Sequence, residues 1–290
     1  MRIKLNSLWS NYELIDCGNF KKLERFGEYT LIRPEISAGN IPKLDQKEWE
    51  NLASAEFIET EKNSGEWKVL KSLPEQWYMS YNSSPISLKA QLSLTNSKHI
   101  GIFPEQVINW DFIKRISSSF DYDNYTILNL FAYTGLSSII SSIFTKSVTH
   151  VDSIKKIVNW SKINASLSER NNIRFIIEDA QKFVLRELKR NNRYTGIILD
   201  PPPIGMGPDN EKWILTEMLD NLLSNISGIM ENRSFLIMNL YTHSINDKYI
   251  HKLILTHFPK YKIEMCEKLW GVSIYNNKID HGYFIRLIKT

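Results

Sequence analysis

Short apolar runs alternate with amphipathic stretches through the second half of the chain, a pattern that predicts strands and helices in turn. Strands are expected near residues 126–131, 148–152, 174–177, 196–199 and 234–240. Helices are expected near residues 136–144, 153–168, 180–191 and 211–230. The chain then ends on two strands, near 262–269 and 281–288, and the alternation in the second is typical of an added antiparallel strand. This order predicts an α/β fold, a doubly wound and mostly parallel sheet.

The first 95 residues follow a different pattern, with short alternating segments separated by turn-rich joins. Tyr12–Ile15 and Tyr29–Arg33 are two such segments, and Asn63-Ser64-Gly65 is one of the joins. We therefore expect two domains. Residues 1–95 would form a small β-rich amino-terminal domain, and residues 96–290 would form the larger α/β domain.

Composition restricts the location and the partners. A formal charge of +4 and a pI of about 8.8 permit an RNA or phosphate partner without requiring one. Cys17 and Cys266 have no metal-ligand spacing, so we expect neither a metal site nor a disulfide scaffold. The first residues lack the apolar run of a signal peptide, and no apolar stretch approaches the roughly 18 residues of a membrane span. The sequence thus predicts a cytoplasmic protein with no membrane partner.

Chemistry-bearing residues follow the predicted strands. Gly135 ends the stretch Tyr125–Gly135 and opens a helix, while Asp152 and Asp179 each follow a later strand. A carboxylate at the end of the second strand can accept hydrogen bonds from both hydroxyls of a ribose. The alternative for Asp152 is an N-cap that accepts from the free N–H groups of the following helix, and Asp179 has the same ambiguity.

Asp200-Pro201-Pro202-Pro203 follows the next strand and is the sharpest local signal. Prolines have a fixed φ and no N–H, so they stiffen a loop while we expect their carbonyls to stay free as acceptors. Next to a carboxylate, such a rim can hold an amine or the edge of a nucleobase. The alternative is a rigid turn that only ends the strand.

The ordered set L-N-L-F-A-Y-T-G, H-V-D-S, I-I-E-D-A and I-I-L-D-P-P resembles the class I S-adenosylmethionine-dependent methyltransferases. It is most similar to the family that includes bacterial 23S ribosomal RNA base methyltransferases. Gly101–Gln106 and His281–Arg286 also resemble that family, so the likeness spans nearly the whole chain. The resemblance implies a Rossmann-like, seven-stranded sheet whose last strand is antiparallel, in a catalytic domain at residues 96–290.

The resemblance also implies which residues hold S-adenosylmethionine. The expected contacts are Phe103, Gln106, Asn129, Phe131, Tyr133, Gly135, Asp152, Ser153, Asp179, Ala180 and Asp200. Of these, the residues between Asn129 and Gly135 would line the methionine end and the sulfonium. Asp152 would accept from the ribose hydroxyls, and Asp179 would meet the adenine amino group. The catalytic rim bordering methyl transfer, which leaves S-adenosylhomocysteine as product, would be Asp200, Pro201 and Pro202.

The absence of a suitable cysteine narrows the choice of the atom that accepts the methyl group. Carbon 5 of a pyrimidine is methylated after a cysteine adds to the ring. In relatives with that activity the cysteine follows the fifth strand, where this chain reads Asn239-Leu-Tyr-Thr-His-Ser244. A nitrogen acceptor is therefore favoured. His243 is a candidate base there, although a lone histidine is more often structural.

The resulting hypothesis is a methyltransferase that modifies a nucleobase of ribosomal RNA. One alternative is methylation of a small molecule or a protein side chain. Another is a non-catalytic module that binds the cofactor or RNA. The lysine and arginine groups, such as Lys155-Lys156 and Lys189-Arg190, could follow phosphates or could simply be solvated surface.

Overall fold

The computed structural model describes residues 1–61, 64–121, 124–241 and 245–290. The chain divides into two compact units. The amino-terminal unit contains Met1–Ile108 and Lys268–His281, and the α/β unit contains Asn109–Glu267 and Gly282–Thr290. The domain boundary after residue 95 stays a prediction, while the compact division groups residues 96–108 and 268–281 with the amino-terminal residues.

Strands run through the whole chain, and most of the α-helices lie in its second half. The strands are β1 Arg2–Ile3, β2 Tyr12–Gly18, β3 Lys21–Phe26, β4 Tyr29–Pro34, β5 Ala55–Glu61, β6 Ser64–Val69, β7 Trp77–Ser83, β8 Ile86–Leu92, β9 Thr126–Leu130, β10 Ser147–Asp152, β11 Ile173–Ile177, β12 Tyr194–Leu199, β13 Ile204–Met206, β14 Lys212–Ile214, β15 Met230–Leu240, β16 Lys262–Val272 and β17 Lys278–Lys289. The α-helices are α1 Gln46–Leu52, α2 Val107–Ser117, α3 Leu136–Ser142, α4 Lys155–Leu167, α5 Ala180–Lys189, α6 Leu215–Gly228 and α7 Asp247–His257.

The amino-terminal unit is built on a five-stranded sheet in the order β2-β3-β4-β5-β6, accompanied by the β7–β8 hairpin. Only β4 and β5 pair in parallel; the other described pairs of this sheet are antiparallel. Leu23 and Ile32 pack with Trp49 of α1 in a small core, and α1 starts at a capping box formed by Asp45 and Glu48. The β-rich character expected for this region is confirmed.

The larger sheet includes seven strands in the order β16-β17-β15-β12-β9-β10-β11. The neighbours from β15 to β11 are parallel, and β17 runs antiparallel to β15. This confirms the predicted seven-stranded, mostly parallel sheet. A short eighth strand was not predicted: β1 pairs with β16 at Trp270 and Gly271, which lie in the amino-terminal unit.

Helices cover both faces of this sheet. Neighbouring residues of β9 point to opposite sides and contact helices on each face. Leu128 packs in the main core with Phe183 of α5 and Leu219 of α6. Asn129, the next residue, donates a hydrogen bond to Ser138 of α3 on the other face. Strand β12 is buried along its whole length, as expected for a central strand covered on both sides. The doubly wound architecture is confirmed.

Two elements differ from the predicted pattern. The helix expected over 211–230 begins at Leu215, because a hairpin of β13 and β14 occupies residues 204–214. Strands of three residues are too short for their alternation to be visible in a sequence. Helix α7, at Asp247–His257, was not predicted either. None of the helices in the described ranges is long and apolar enough to cross a membrane.

Candidate active site

The pairing register brings the carboxyl ends of four strands to one edge of the sheet. Leu130 of β9 lies opposite both Val151 of β10 and Leu199 of β12. Asp152 lies opposite Ile177 at the end of β11. The segments that follow these strands therefore start side by side. In open α/β sheets, ligands bind in the crevice outside this carboxyl edge.

A cleft opens at this edge and encloses ≈ 330 Å³, its open mouth included. Predicted site residues in its lining are Phe131, Asp152, Ser153, Asp179, Ala180 and Pro202. These residues come from four separate stretches of sequence, so the structure brings together much of the set that the motifs indicated.

Asp152 is anchored by two main-chain N–H groups. Its Oδ2 accepts from Tyr133 N at 2.9 Å, and its Oδ1 accepts from Ile154 N at 3.0 Å. Burial raises the pKa of Asp152 above its usual value, although these hydrogen bonds work in the opposite direction. The carboxylate thus fastens the turn after β9 and the start of α4. Each carboxylate oxygen has two acceptor positions, so Asp152 retains capacity for hydroxyl donors.

The neighbouring residues Asp179 and Ser153 also have structural partners. Asp179 caps α5 by accepting from Lys182 N at 2.9 Å, as the N-cap alternative expected. Ser153 Oγ donates to the carbonyl of Met206 in the β13–β14 hairpin at 2.9 Å. Because Asp152, Asp179 and Ser153 all line the cleft as well, a capping role and a ligand role are compatible at these positions.

The turn between β9 and α3 is shaped by packing at Gly135. Its φ is +85°, and a Cβ added there would lie 2.8 Å from Cβ of Ser161 and 3.4 Å from the His150 ring. A side chain is therefore excluded by α4 and β10. Asn129 is only 2% exposed and is hydrogen-bonded to Ser138. Asn129, Tyr133 and Gly135 do not line the cleft, and their cofactor roles stay predictions.

The rim after β12 is more constrained than the sequence suggested. The indole N–H of Trp213 donates to the Pro202 carbonyl at 2.7 Å, and Leu215 N donates to the Pro203 carbonyl at 3.0 Å. The expectation that all three proline carbonyls stay free was therefore wrong for Pro202 and Pro203. Pro202 lines the cleft, and half-buried Asp200 directly follows β12. The catalytic roles of Asp200, Pro201 and Pro202 remain predictions.

Sequence reasoning missed the β13–β14 hairpin, which forms one wall of the cleft through Gly205, Met206 and Trp213. Lys182 of α5 forms ion pairs with Asp209 (Nζ to Oδ2, 3.2 Å) and with Glu211. These ion pairs hold the hairpin against α5, and the Ser153–Met206 hydrogen bond holds it against the segment between β10 and α4. Gly205 and Gly207 are the sequence feature that indicates a loop able to approach a ligand closely.

The remaining predicted candidates belong to the amino-terminal unit or lie outside the described residues. Phe103 and Gln106 belong to the amino-terminal unit, where Gln106 is buried in a short 3₁₀ helix and the Phe103 ring lies 5.2 Å from that of His99. Their role toward the cofactor stays a prediction. His281 lies in the same unit, with its Nδ1 3.6 Å from Glu105 Oε1. His243 lies outside the described residues.

Neither cysteine has the properties of a nucleophile. Burial, reinforced by the neighbouring Asp16 carboxylate, raises the pKa of Cys17 to about 12. Burial also raises the pKa of Cys266. A nucleophilic cysteine needs the thiolate, and a raised pKa keeps the thiol protonated near neutral pH. In the part of the chain that the structure describes, no group of three or more His, Cys, Asp or Glu side chains is arranged to hold a metal ion.

Comparison with known proteins gives the class of the fold. No protein-family model matches the chain. The structure of an S-adenosylmethionine-dependent methyltransferase from Agrobacterium tumefaciens has a TM-score of 0.87 and 29% identity, covering 97% of this chain and 91% of that one. A proposed methyltransferase complexed with S-adenosylhomocysteine has a TM-score of 0.74 at 14% identity, covering 97% and 76%; at that identity it supports the fold alone.

Among curated relatives, ribosomal RNA large subunit methyltransferase K/L from Pseudoalteromonas atlantica is 25% identical over 193 residues, or 62% of this chain. The chain spans only 26% of that relative, and about a quarter or less of the other curated relatives it matches. The fold is that of a class I S-adenosylmethionine-dependent methyltransferase. The resemblance to the S-adenosylmethionine-dependent methyltransferases is confirmed, and the structural match covers 97% of the chain.

Proposed function

We propose that this protein transfers a methyl group from S-adenosylmethionine to a nitrogen atom of a nucleobase in ribosomal RNA. The observation that carries the proposal is the cleft at the carboxyl edge of the sheet, in which Asp152, Asp179 and Pro202 meet. Acceptors on one wall and a proline-stiffened rim on the other fit a nucleoside cofactor beside a nitrogen-bearing substrate.

The residues present fit the cofactor. Asp152, a carboxylate at the end of the second parallel strand, would accept from the two ribose hydroxyls. Asp179 and the neighbouring Ala180 would meet the adenine edge, and Phe131 would border the methionine end. When bound, S-adenosylmethionine supplies an electrophilic methyl group on a sulfonium. The protein has to orient the acceptor in line with that group and exclude water, so positioning is its main contribution.

A nitrogen acceptor is supported by the chemistry of the rim and of the cysteines. Asp200 and Pro201 follow β12, and the prolines after Asp200 have no N–H to donate. This Asp200–Pro201 edge can therefore accept hydrogen bonds from an exocyclic amino group. Such bonds would orient the nitrogen lone pair toward the methyl group. Cys17 and Cys266 have raised pKa values, which argues against covalent activation of a ring carbon.

The RNA substrate is supported by the names of the relatives, several of which are ribosomal RNA large subunit methyltransferases. The net charge of +4 is compatible with a polyanionic substrate. We expect the protein to act in the cytoplasm. Because the chain spans a small part of those relatives, their activity does not by itself define the activity here.

Two measurements test the proposal. Calorimetry with S-adenosylhomocysteine should detect binding, and its absence would leave only a scaffold with this fold. Mass mapping of nucleosides in ribosomal RNA from cells with and without the gene should reveal one methylated base that depends on it. Cofactor binding with unchanged RNA would instead favour methylation of a small molecule or a protein side chain, and binding with no turnover on any substrate would favour a cofactor sensor.

A further inference from the structure

The prolines of the loop at the methyl-transfer rim cannot donate main-chain hydrogen bonds. Residues 201–203 are all prolines, so three successive positions have no N–H to donate. Their carbonyls are the only main-chain groups through which other residues can restrain the loop by conventional hydrogen bonds. Two described donors do so, the indole N–H of Trp213 and the main-chain N–H of Leu215, at 2.7 Å and 3.0 Å from their acceptors.

Trp213 connects this loop to the end of another strand. Its side chain is buried, with 2% exposed, and its ring centroid lies 4.8 Å from that of Phe131, the residue that follows β9. The indole therefore contacts the segments after β9 and after β12 at once. Both segments contribute predicted site residues, and Trp213 lines the cleft between them.

Gly205, in the other strand of the hairpin, leaves room for the contact between Trp213 and Pro202. Gly205 pairs with Trp213 across β13 and β14. A Cβ added at Gly205 would lie 3.3 Å from Cγ of Pro202 and 3.5 Å from the indole ring, tighter than most such contacts at the proline. The absence of a side chain at this position lets Pro202 and the indole approach closely.

We propose that Trp213 is a positioning residue for methyl transfer: its indole N–H holds the Pro202 carbonyl and thereby sets where the Asp200–Pro201 edge meets the acceptor nitrogen. This inference rests on the proposed function and adds a residue that neither the motifs nor the comparisons assign. Small displacements of a reacting group have large effects on rate, so a held rim matters more for transfer than for cofactor binding.

The test separates the N–H group from the ring. Trp213→Phe keeps an aromatic ring against Phe131 but removes the donor, whereas Trp213→Ala removes both. With deproteinised 23S ribosomal RNA from cells lacking the gene, Trp213→Phe should lower kcat about tenfold or more. Its Kd for S-adenosylhomocysteine should stay within about threefold of the wild type. Trp213→Ala should both lower kcat and raise this Kd.

Trp67→Phe is the matched control. The Trp67 indole N–H also donates to main-chain carbonyls, of Thr95 at 2.9 Å and Ser97 at 3.2 Å, but Trp67 belongs to the amino-terminal unit. Its substitution should leave kcat and Kd unchanged. Hydrogen exchange of the peptide 204–215 supplies a readout that needs no methyl acceptor: Trp213→Phe should accelerate it about tenfold, and Trp67→Phe should not.

The outcomes are distinguishable. A wild-type protein that transfers no methyl group would contradict the proposed function, while the exchange experiment would still decide whether Trp213 restrains the loop. An active wild type with Trp213→Phe unchanged in kcat and exchange would overturn the inference alone. Equal losses in kcat and in cofactor affinity for Trp213→Phe would also overturn it, because they would indicate a structural role in the cofactor pocket.

Discussion

Two buried acidic residues of the amino-terminal unit differ from Asp152, which lines the cleft of the α/β unit. In the amino-terminal unit, Glu24 is 1% exposed and accepts from Arg33 at 2.6 and 2.9 Å and from the Tyr12 hydroxyl at 2.8 Å. Asp16, fully buried, accepts from the main-chain N–H groups of Cys17, Lys43 and Leu44. In the cleft of the α/β unit, half-buried Asp152 accepts from the main-chain N–H groups of Tyr133 and Ile154.

This difference distinguishes carboxylates that are fully used within the fold from Asp152, a candidate for ligand binding. Burial of a charge is tolerated when partners satisfy it, and Glu24 and Asp16 meet that condition entirely within the protein. Asp152 is held in place by main-chain donors on one side while its position in the cleft leaves acceptor capacity for a ligand. An acidic residue is thus a site candidate because of the capacity it retains, more than because of its charge.

The largest expected effect concerns the buried pair. Glu24→Ala would leave the Arg33 guanidinium buried without its carboxylate, so we expect unfolding free energy to fall by about 3–5 kcal/mol. Urea unfolding followed by circular dichroism measures this. Cofactor affinity of the folded fraction should be unchanged; a variant as stable as the wild type would contradict the structural role of Glu24.

The same pair predicts a pH dependence of stability. Burial alone would raise the pKa of Glu24, but Arg33 and Lys22 outweigh it and hold that pKa below its usual value. The stabilisation is therefore present above the unfolded-state pKa of a glutamate and is lost as pH falls through the lowered folded-state value. Glu24→Ala should flatten this part of the stability curve.

In contrast to Glu24→Ala, Asp200→Ala should reduce activity without reducing stability. We expect kcat on 23S ribosomal RNA to fall at least about 100-fold, because the edge that orients the acceptor is removed. Affinity for S-adenosylhomocysteine and the unfolding midpoint should change little. Asp200→Asn, which keeps the size of the side chain, tests whether the charge is required. Full activity in Asp200→Ala would remove this residue from the site.

Asp152→Ala should act on cofactor binding. Loss of the ribose acceptor would weaken S-adenosylhomocysteine binding by about 1–3 kcal/mol in calorimetry. Since burial raises the pKa of Asp152, acidification should protonate it above the usual range for an aspartate. Wild-type affinity should therefore decline as pH falls through that raised pKa, and Asp152→Ala should not show this decline. Unchanged affinity in the variant would exclude the ribose role.

The smallest effect is expected at the hairpin. Lys182→Ala removes the exposed ion pairs to Asp209 and Glu211, so dissociation of S-adenosylhomocysteine should become about two- to fivefold faster at low salt. High salt should remove the difference between variant and wild type. Lys189→Ala, on the same helix, is the control. Equal dissociation rates at low salt would indicate that the hairpin does not limit release.

The alternation of apolar and polar residues was sufficient to predict the strands of the α/β unit within a few residues. It could not predict β13 and β14, because three-residue strands show no period, and it missed α7. It also identified Asp152, Asp179 and Pro202, which line the cleft, because residues at the carboxyl ends of parallel strands share one edge. Trp213 was not identified, since its contacts to Pro202 and Phe131 join segments distant in the chain.

The sequence by itself determined the order of strands and helices and the positions of the strand-end carboxylates, since both follow from local periodicity and turn chemistry. Only the tertiary structure decided which acceptors are already occupied. Asp16 and Asp152 both follow apolar residues within or at the end of a strand, yet one is filled by protein donors and the other opens into a cleft. Hydrogen-bond partners from remote segments make that difference, and the local pattern of apolar and polar residues does not predict those partners.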